Sequence, residues 1–231
     1  MIADRVAAVR ERIARAAERA SRTPDEITLV AVSKTFPARA VQAAFAAGVR
    51  HFGENRVQEA EVKFTELGPL RDEGLVWHFI GHLQSNKARK AQALFDVVES
   101  VDSVELARRL SRAAVESGRT LPVFLQVDLA GEEAKFGIPE ASVMGALGEM
   151  KELGGLQVEG LMTLPPYLDP EGVRPYFRRL RALRDEARDA GLLHGAALSM
   201  GMSHDFETAV EEGATIVRVG SAIFGQRTAA A

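Results

Sequence analysis

Apolar positions along this chain switch repeatedly between two periods, one that suits a helix face and one that suits a buried strand. Ile2, Val6, Val9 and Ile13 fall at i, i+4, i+7 and i+11, which predicts an N-terminal helix with one apolar stripe and its arginines outside. The run 27–34 (ITLVAVSK) reads as a buried strand ending on Lys34. Thr35, Phe36 and Pro37 then turn the chain toward a second helix, with Val41, Ala44 and Phe45 inward and Gly48 as its stop.

Further strands are predicted at 51–54, 76–81, 96–101, 121–129, 156–164, 197–201 and 215–220, each separated from the next by a helical stretch. Gly68 and Pro69 are expected to end the helix that begins near Asn55, and Asn86 to cap an alanine-rich helix through Leu94. Asp102 and Glu105 resemble a capping box, Pro139 opens a helix, a long helix covers 173–190, and Ser203 caps a helix through Glu212. Strands alternating with helices predict a parallel sheet, because each return to a parallel neighbour needs a crossover. Eight such units in 231 residues predict an α/β fold, a single-domain (β/α)8 TIM barrel over 1–231 with an extra N-terminal helix. No glycine-rich dinucleotide fingerprint follows the first strand, which disfavours an open Rossmann sheet.

Composition narrows the chemistry. With 46% hydrophobic residues the chain can bury one sizeable core, and a net charge of −3 spread over mixed charges gives no basic field for nucleic acid. The absence of cysteine excludes disulfides, thiolate metal sites and a cysteine nucleophile. No apolar run approaches membrane length and no leader pattern is seen, so a soluble, cytoplasmic protein without a membrane partner is expected.

In a barrel of this type functional groups lie at the C-terminal strand ends, and the loops after the seventh and eighth strands commonly hold phosphate. Those loops here are Ser199-Met200-Gly201-Met202-Ser203 and Gly220-Ser221-Ala222, with small residues that let backbone N–H groups approach an anion. Lys34 stands at the exit of the first strand, where a lysine could equally be one that snorkels to water. Arg218 shares parity with Ile216 and Gly220, so its guanidinium points into the barrel and must be paired. Its partner is either an acid on another strand or a heterocyclic nitrogen. A lysine, a phosphate cup and such a donor together suit pyridoxal phosphate. His78 and His82 read as packing or rim residues, and no metal site is predicted. Asn86, Lys87, Arg89 and Lys90 read as a solvated helix start, and Glu132, Glu133 and Lys135 as an exposed loop.

The segments FGENRVQE, WHFIGHLQSNK, ESVDS, EEAKFGI, GLMTLPP and LSMGMSHDFETAVEEGATIVRVGSAIFG, with SK at the first strand exit, closely resemble the pyridoxal phosphate homeostasis protein family, single-domain relatives of the alanine racemase barrel. The resemblance spans 27–225 and is most specific over 198–225. It implies that Lys34 holds the cofactor as an internal aldimine, that Ser199, Met202, Gly220 and Ser221 surround its phosphate, that Arg218 faces the pyridine nitrogen, and that Asn55 lies close to it. Arg56 stands where most members have tyrosine, and Asp128 where most have asparagine.

The resemblance further implies a non-catalytic carrier of pyridoxal 5'-phosphate with a part in cofactor and amino or keto acid homeostasis, without catalytic residues, monomeric, with pyridoxal phosphate-dependent apoenzymes as candidate recipients. The alternatives are an amino acid racemase or other weak enzyme, and a barrel for another phosphorylated metabolite in which Lys34 is idle. Two-base racemisation needs a proton carrier opposite the lysine, supplied in alanine racemases by a tyrosine on an additional domain. A chain ending at Ala231 is expected to lack that domain, and Tyr167 and Tyr176 are not expected at the site.

Overall fold

Eight parallel strands close on themselves in a computed structural model that describes residues 1–131 and 136–226. The expected loop residues Glu132, Glu133 and Lys135 lie outside these. In chain order come helix α1 (Ile2–Arg19), strand β1 (Thr28–Val32), α2 (Ala38–Ala46), β2 (His51–Glu54), α3 (Val57–Glu66), α4 (Gly68–Asp72) and β3 (Val76–Phe79). They are followed by α5 (Ala88–Leu94), β4 (Val97–Val101), α6 (Val104–Glu116), β5 (Leu121–Asp128), a two-residue β6 (Ile138–Pro139) and α7 (Val143–Lys151). The chain finishes with β7 (Leu156–Thr163), α8 (Pro170–Asp189), β8 (Ala197–Ser199), α9 (Phe206–Glu211), β9 (Ile216–Val219) and α10 (Ser221–Phe224). The strands pair in the order β4-β3-β2-β1-β9-β8-β7-β5, with β4 against β5 closing the ring and β6 beside the end of β5. This is the (β/α)8 barrel that the alternating periods predict.

The strands are nearly continuous apolar runs because both their faces are buried, outward under helices and inward in the barrel. Val30, Phe124, Met162 and Ile216 form an interior cluster separate from the large apolar shell between strands and helices. Two residues beyond Ile216, the same inward parity brings Arg218 into the interior, level with Val30 of β1. In the outer shell, α6 buries Leu106, Ala107, Leu110 and Ala114 at helical spacing, each leucine contributing about 1.5–3 kcal/mol relative to exposure. Helix α1 lays Val6, Val9, Ile13, Ala16 and Ala17 against α2, α9 and α10, the helices next to the two strands that carry Lys34 and Arg218.

Several helix boundaries differ from expectation for local reasons. Gly68 and Pro69 end α3 but also start α4, since proline suits a first helical turn. Asn86 sits inside a 3-10 turn, Ser85–Lys87, that leads into α5. Ser103, not Asp102, caps α6, its hydroxyl accepting from Leu106 N at 3.2 Å, while Asp102 pairs with His82 Nδ1 at 2.8 Å. Pro139 belongs to β6, and a 3-10 turn, Glu140–Ser142, precedes α7. Asp169 caps α8 through Glu171 N and Gly172 N, so the long helix begins at Pro170, three residues before its first apolar position. Asp205, not Ser203, occupies the N-cap position of α9, and its side chain accepts from Met202 N.

Candidate functional site

Lys34 is presented by a turn rather than by the strand itself. β1 ends at Val32, Ser33 N still donates to Gly53 O at 3.0 Å, and Phe36 N folds back onto Ser33 O at 3.0 Å. The turn puts Thr35 at φ 69°, a conformation that a β-branched residue adopts at a cost of order 1–3 kcal/mol. Backbone strain of this kind, immediately after the lysine, persists only where the surroundings hold it.

Lys34 lines a cavity of about 540 Å³ at the C-terminal strand ends, a size that suits a small cofactor. Met202, Arg218, Gly220 and Ser221 line the same cavity, so five of the seven expected binding residues meet there. Ser199 does not line it. It is fully buried, its hydroxyl donating to Glu99 Oε2 and accepting from Arg218 Nη1. Asn55 lies in an adjoining cavity of about 470 Å³, beside Arg56 and His82. That separation follows from the strands: Ile80 faces the first cavity, Gly81 the second, and Gly81 packs directly on Asn55.

The interior around Arg218 is a connected polar network. Arg218 Nη2 donates to Thr163 O at 2.8 Å, and Nη1 lies 3.9 Å from Glu99 Oε2. Burial pushes the Arg218 guanidinium down from its ordinary range, opposed by the charges of Glu99 and Asp205. Burial alone would raise the Glu99 carboxyl, but hydrogen bonds from His78 and Ser199 and the Arg218 charge outweigh it and hold Glu99 below the usual carboxylate range. With Glu99 ionised, His78 Nδ1 must be the donor to it, and His78 Nε2 lies 2.9 Å from His51 Nδ1. Arg218 is thus paired with an acid on another strand while it also lines the cavity. His82 stacks on Phe136 with centroids 3.6 Å apart. Among the described residues no group of three His, Asp or Glu side chains could hold a metal ion.

Three residues of the site were not among the seven expected binding residues. Glu99 sits within a buried apolar strand, VVESV, and the rule that singles out Arg218 would have singled it out too. Ser203 lines the cavity and ties its two loops together, its hydroxyl accepting from Gly220 N at 3.1 Å and Ala222 N at 3.3 Å. Tyr167 also lines the cavity, contrary to the expectation that neither tyrosine reaches it. Its ring lies 4.4 Å from that of His204, and the residue is 82% exposed. The segment after β7 has no periodic pattern, so only the closed ring shows that it borders the site. As for the two residues that depart from the family pattern, Arg56 is exposed and pairs with Glu59 at 2.8 Å. The side chain of Asp128 accepts from Ala130 N and Gly131 N, at 3.0 Å each, as an asparagine carbonyl could.

An amine at one end, a paired guanidinium in the interior and small-residue loops between them form a donor set that fits pyridoxal phosphate. The family model of the alanine racemase N-terminal domain matches residues 5–228. A protein of Aquifex aeolicus named pyridoxal phosphate homeostasis protein is 43% identical over 225 residues, covering 97% of each chain. One of the same name from Pseudomonas aeruginosa is 44% identical over 227 residues, covering 98% of this chain and 96% of the other. The solved structure of PipY of Synechococcus elongatus with PLP bound is 44% identical, with a TM-score of 0.87, covering 97% of this chain and 100% of that one.

Proposed function

The chain belongs to the pyridoxal phosphate homeostasis proteins, within the alanine racemase N-terminal domain family, and from that premise we propose that it binds pyridoxal 5'-phosphate on Lys34 as a non-catalytic carrier. The observation that carries this reading is that Lys34 and Arg218 face one cavity whose wall is the Gly220-Ser221 loop. When bound, the cofactor supplies an aldehyde for an amine and a ring that withdraws electrons. The chain's own residues then set how far that chemistry goes. Gly220, Ser221 and Met202 would surround the phosphate, and Arg218 would face the ring nitrogen. Ser199 acts through Arg218 rather than on the phosphate, and Asn55 acts from the neighbouring cavity.

A cationic donor at the ring nitrogen disfavours protonation there, whereas an acid would promote it. Glu99 keeps Arg218 in place without itself reaching the cavity lining. On this reading the protein works as a cytoplasmic monomer and passes the cofactor to apoenzymes that depend on it.

One observation favours a racemase, the second reading: Tyr167 borders the cavity. Against it, an 82% exposed side chain leaves the site open to water, which competes for any proton the lysine removes. A barrel for some other phosphorylated metabolite would leave Lys34 without a role.

Titration of the purified protein with pyridoxal phosphate tests the proposal. A near-ultraviolet or visible band that borohydride fixes onto Lys34 is expected. Lys34→Ala should abolish it while changing unfolding free energy by under about 1 kcal/mol, because the half-buried side chain lies in a turn outside the core. A reducible adduct on another lysine in that variant would overturn the assignment.

A further inference from the structure

The turn that carries Lys34 is held from beneath by a buried charge pair. Glu54, the last residue of β2, is fully buried, and the Lys63 side chain on α3 is only 9% exposed. Lys63 Nζ donates to Glu54 Oε1 and, at 2.9 Å, to Ser33 O. The Ser33 hydroxyl donates to the same Glu54 oxygen at 2.6 Å. Ser33 N is bonded to Gly53 O, and Ser33 O also accepts from Phe36 N, so every polar group of the residue before Lys34 is engaged. The other oxygen, Glu54 Oε2, is buried without a hydrogen-bond partner.

As a device for stability this arrangement is poor. Desolvating two charges offsets much of their attraction, and apolar replacements of similar shape often serve a fold as well or better. Burial pushes the Glu54 carboxyl up, against the opposing pull of Lys63 and Ser33. What the pair does reach is the carbonyl between β1 and the turn in which Thr35 is forced to positive φ. Releasing that carbonyl would let the turn relax, and with it the direction of the lysine side chain.

We propose that Glu54 and Lys63 are positioning residues for Lys34: their ion pair clamps Ser33 so that the strained turn presents the Lys34 amine to the cavity. This rests on the reading of Lys34 as the attachment point. The cavity walls that would hold phosphate and ring come from β8, β9 and their loops, on the far side of β1 from the clamp. Covalent capture and non-covalent binding should therefore respond differently when the clamp is removed.

The test compares wild type with Lys63→Met and with the double variant Glu54→Gln/Lys63→Met, which removes both charges and leaves neither buried alone. Two quantities are measured on each folded protein: affinity for 4-deoxypyridoxine 5'-phosphate, which lacks the aldehyde, and the rate at which pyridoxal phosphate becomes borohydride-fixable on Lys34. In the double variant the affinity should stay within about threefold of wild type while the capture rate falls about tenfold or more, as expected when a reacting group is misaimed rather than lost. An unchanged capture rate in the folded double variant would overturn the proposal. A parallel fall of both quantities would also overturn it, since the pair would then support the whole cavity. Wild-type protein that takes up neither compound refutes the carrier reading and, with it, the positioning. If Lys63→Met alone does not fold, the double variant decides.

Discussion

Glu99 on β4 and Arg218 on β9 meet across the barrel interior, 3.9 Å apart at their nearest charged atoms, with the Ser199 hydroxyl bonded to both. Each is buried, and each supplies the other with an opposite charge. The pair lets a full positive charge stand at the floor of the cavity without exposure to bulk water.

Removing the acid alone should therefore be costly. Glu99→Gln keeps the shape but removes the nearest counter-charge of Arg218, and breaking a buried pair at one partner costs about 3–5 kcal/mol. Urea denaturation should show a loss of that order. A change below about 1 kcal/mol would mean that Thr163 O and Ser199 suffice to hold the guanidinium, and that the carboxylate is not its anchor.

His51 sets an acid limit with a definite sign. His51 is pushed down to about 4 from 6.5, first by burial and then by His78. Between those values the unfolded chain binds the extra proton, so stability falls as pH drops from 6.5 toward 4 and levels off below that. Glu99, held below the usual range, contributes stability that is present above about pH 4.3, the ordinary glutamate value, and is lost as pH falls through its lower folded value. The unfolding midpoint measured against pH should show both losses in that order. His51→Gln keeps a polar amide beside His78 but cannot titrate, and should flatten the upper one. An undiminished slope between pH 6.5 and 4 in that variant would assign the loss to another group.

Ser221→Asp places a carboxylate on the loop proposed to hold phosphate. Like charges at close range in a partly desolvated cavity should weaken pyridoxal phosphate binding by about 2 kcal/mol or more. Ser103→Asp is the matched control, because it adds the same charge at a helix N-cap where aspartate serves as well as serine. Equal affinities for the two variants would move the phosphate away from Gly220 and Ser221.

Tyr167 decides between carrier and racemase. Cofactor-loaded protein incubated with single enantiomers of alanine in deuterium oxide should give no appreciable inversion, since a group on the far face must lie within about 3 Å of the Cα proton to deliver one. Tyr167→Phe should leave slow Cα exchange unchanged. Fast inversion in wild type, lost in both Tyr167→Phe and Lys34→Ala, would establish the racemase.

The barrel was readable because its evidence is local and repeated. Short apolar runs and period-3.6 stretches alternate eight times, and parity with Ile216 and Gly220 within IVRVG places Arg218 inside. The same locality explains the boundary errors. Asp102 against Ser103, and Ser203 against Asp205, are near-equivalent capping residues a step or two apart, and their choice depends on partners such as His82 and Gly220 that come from other strands.

By itself the sequence determined that Lys34, Arg218 and the Gly220-Ser221 loop stand at corresponding ends of strands in one ring, and which family the chain joins. Ring closure decided the rest. It brought Glu99 to Arg218 and Lys63 beneath Ser33, moved Asn55 into a neighbouring cavity, seated Ser199 under the arginine, and brought Tyr167 to the cavity wall. These are contacts between elements far apart in the chain, selected by burial: a charge enclosed by the barrel must find its partner in three dimensions, and no periodicity along one dimension records which partner that is.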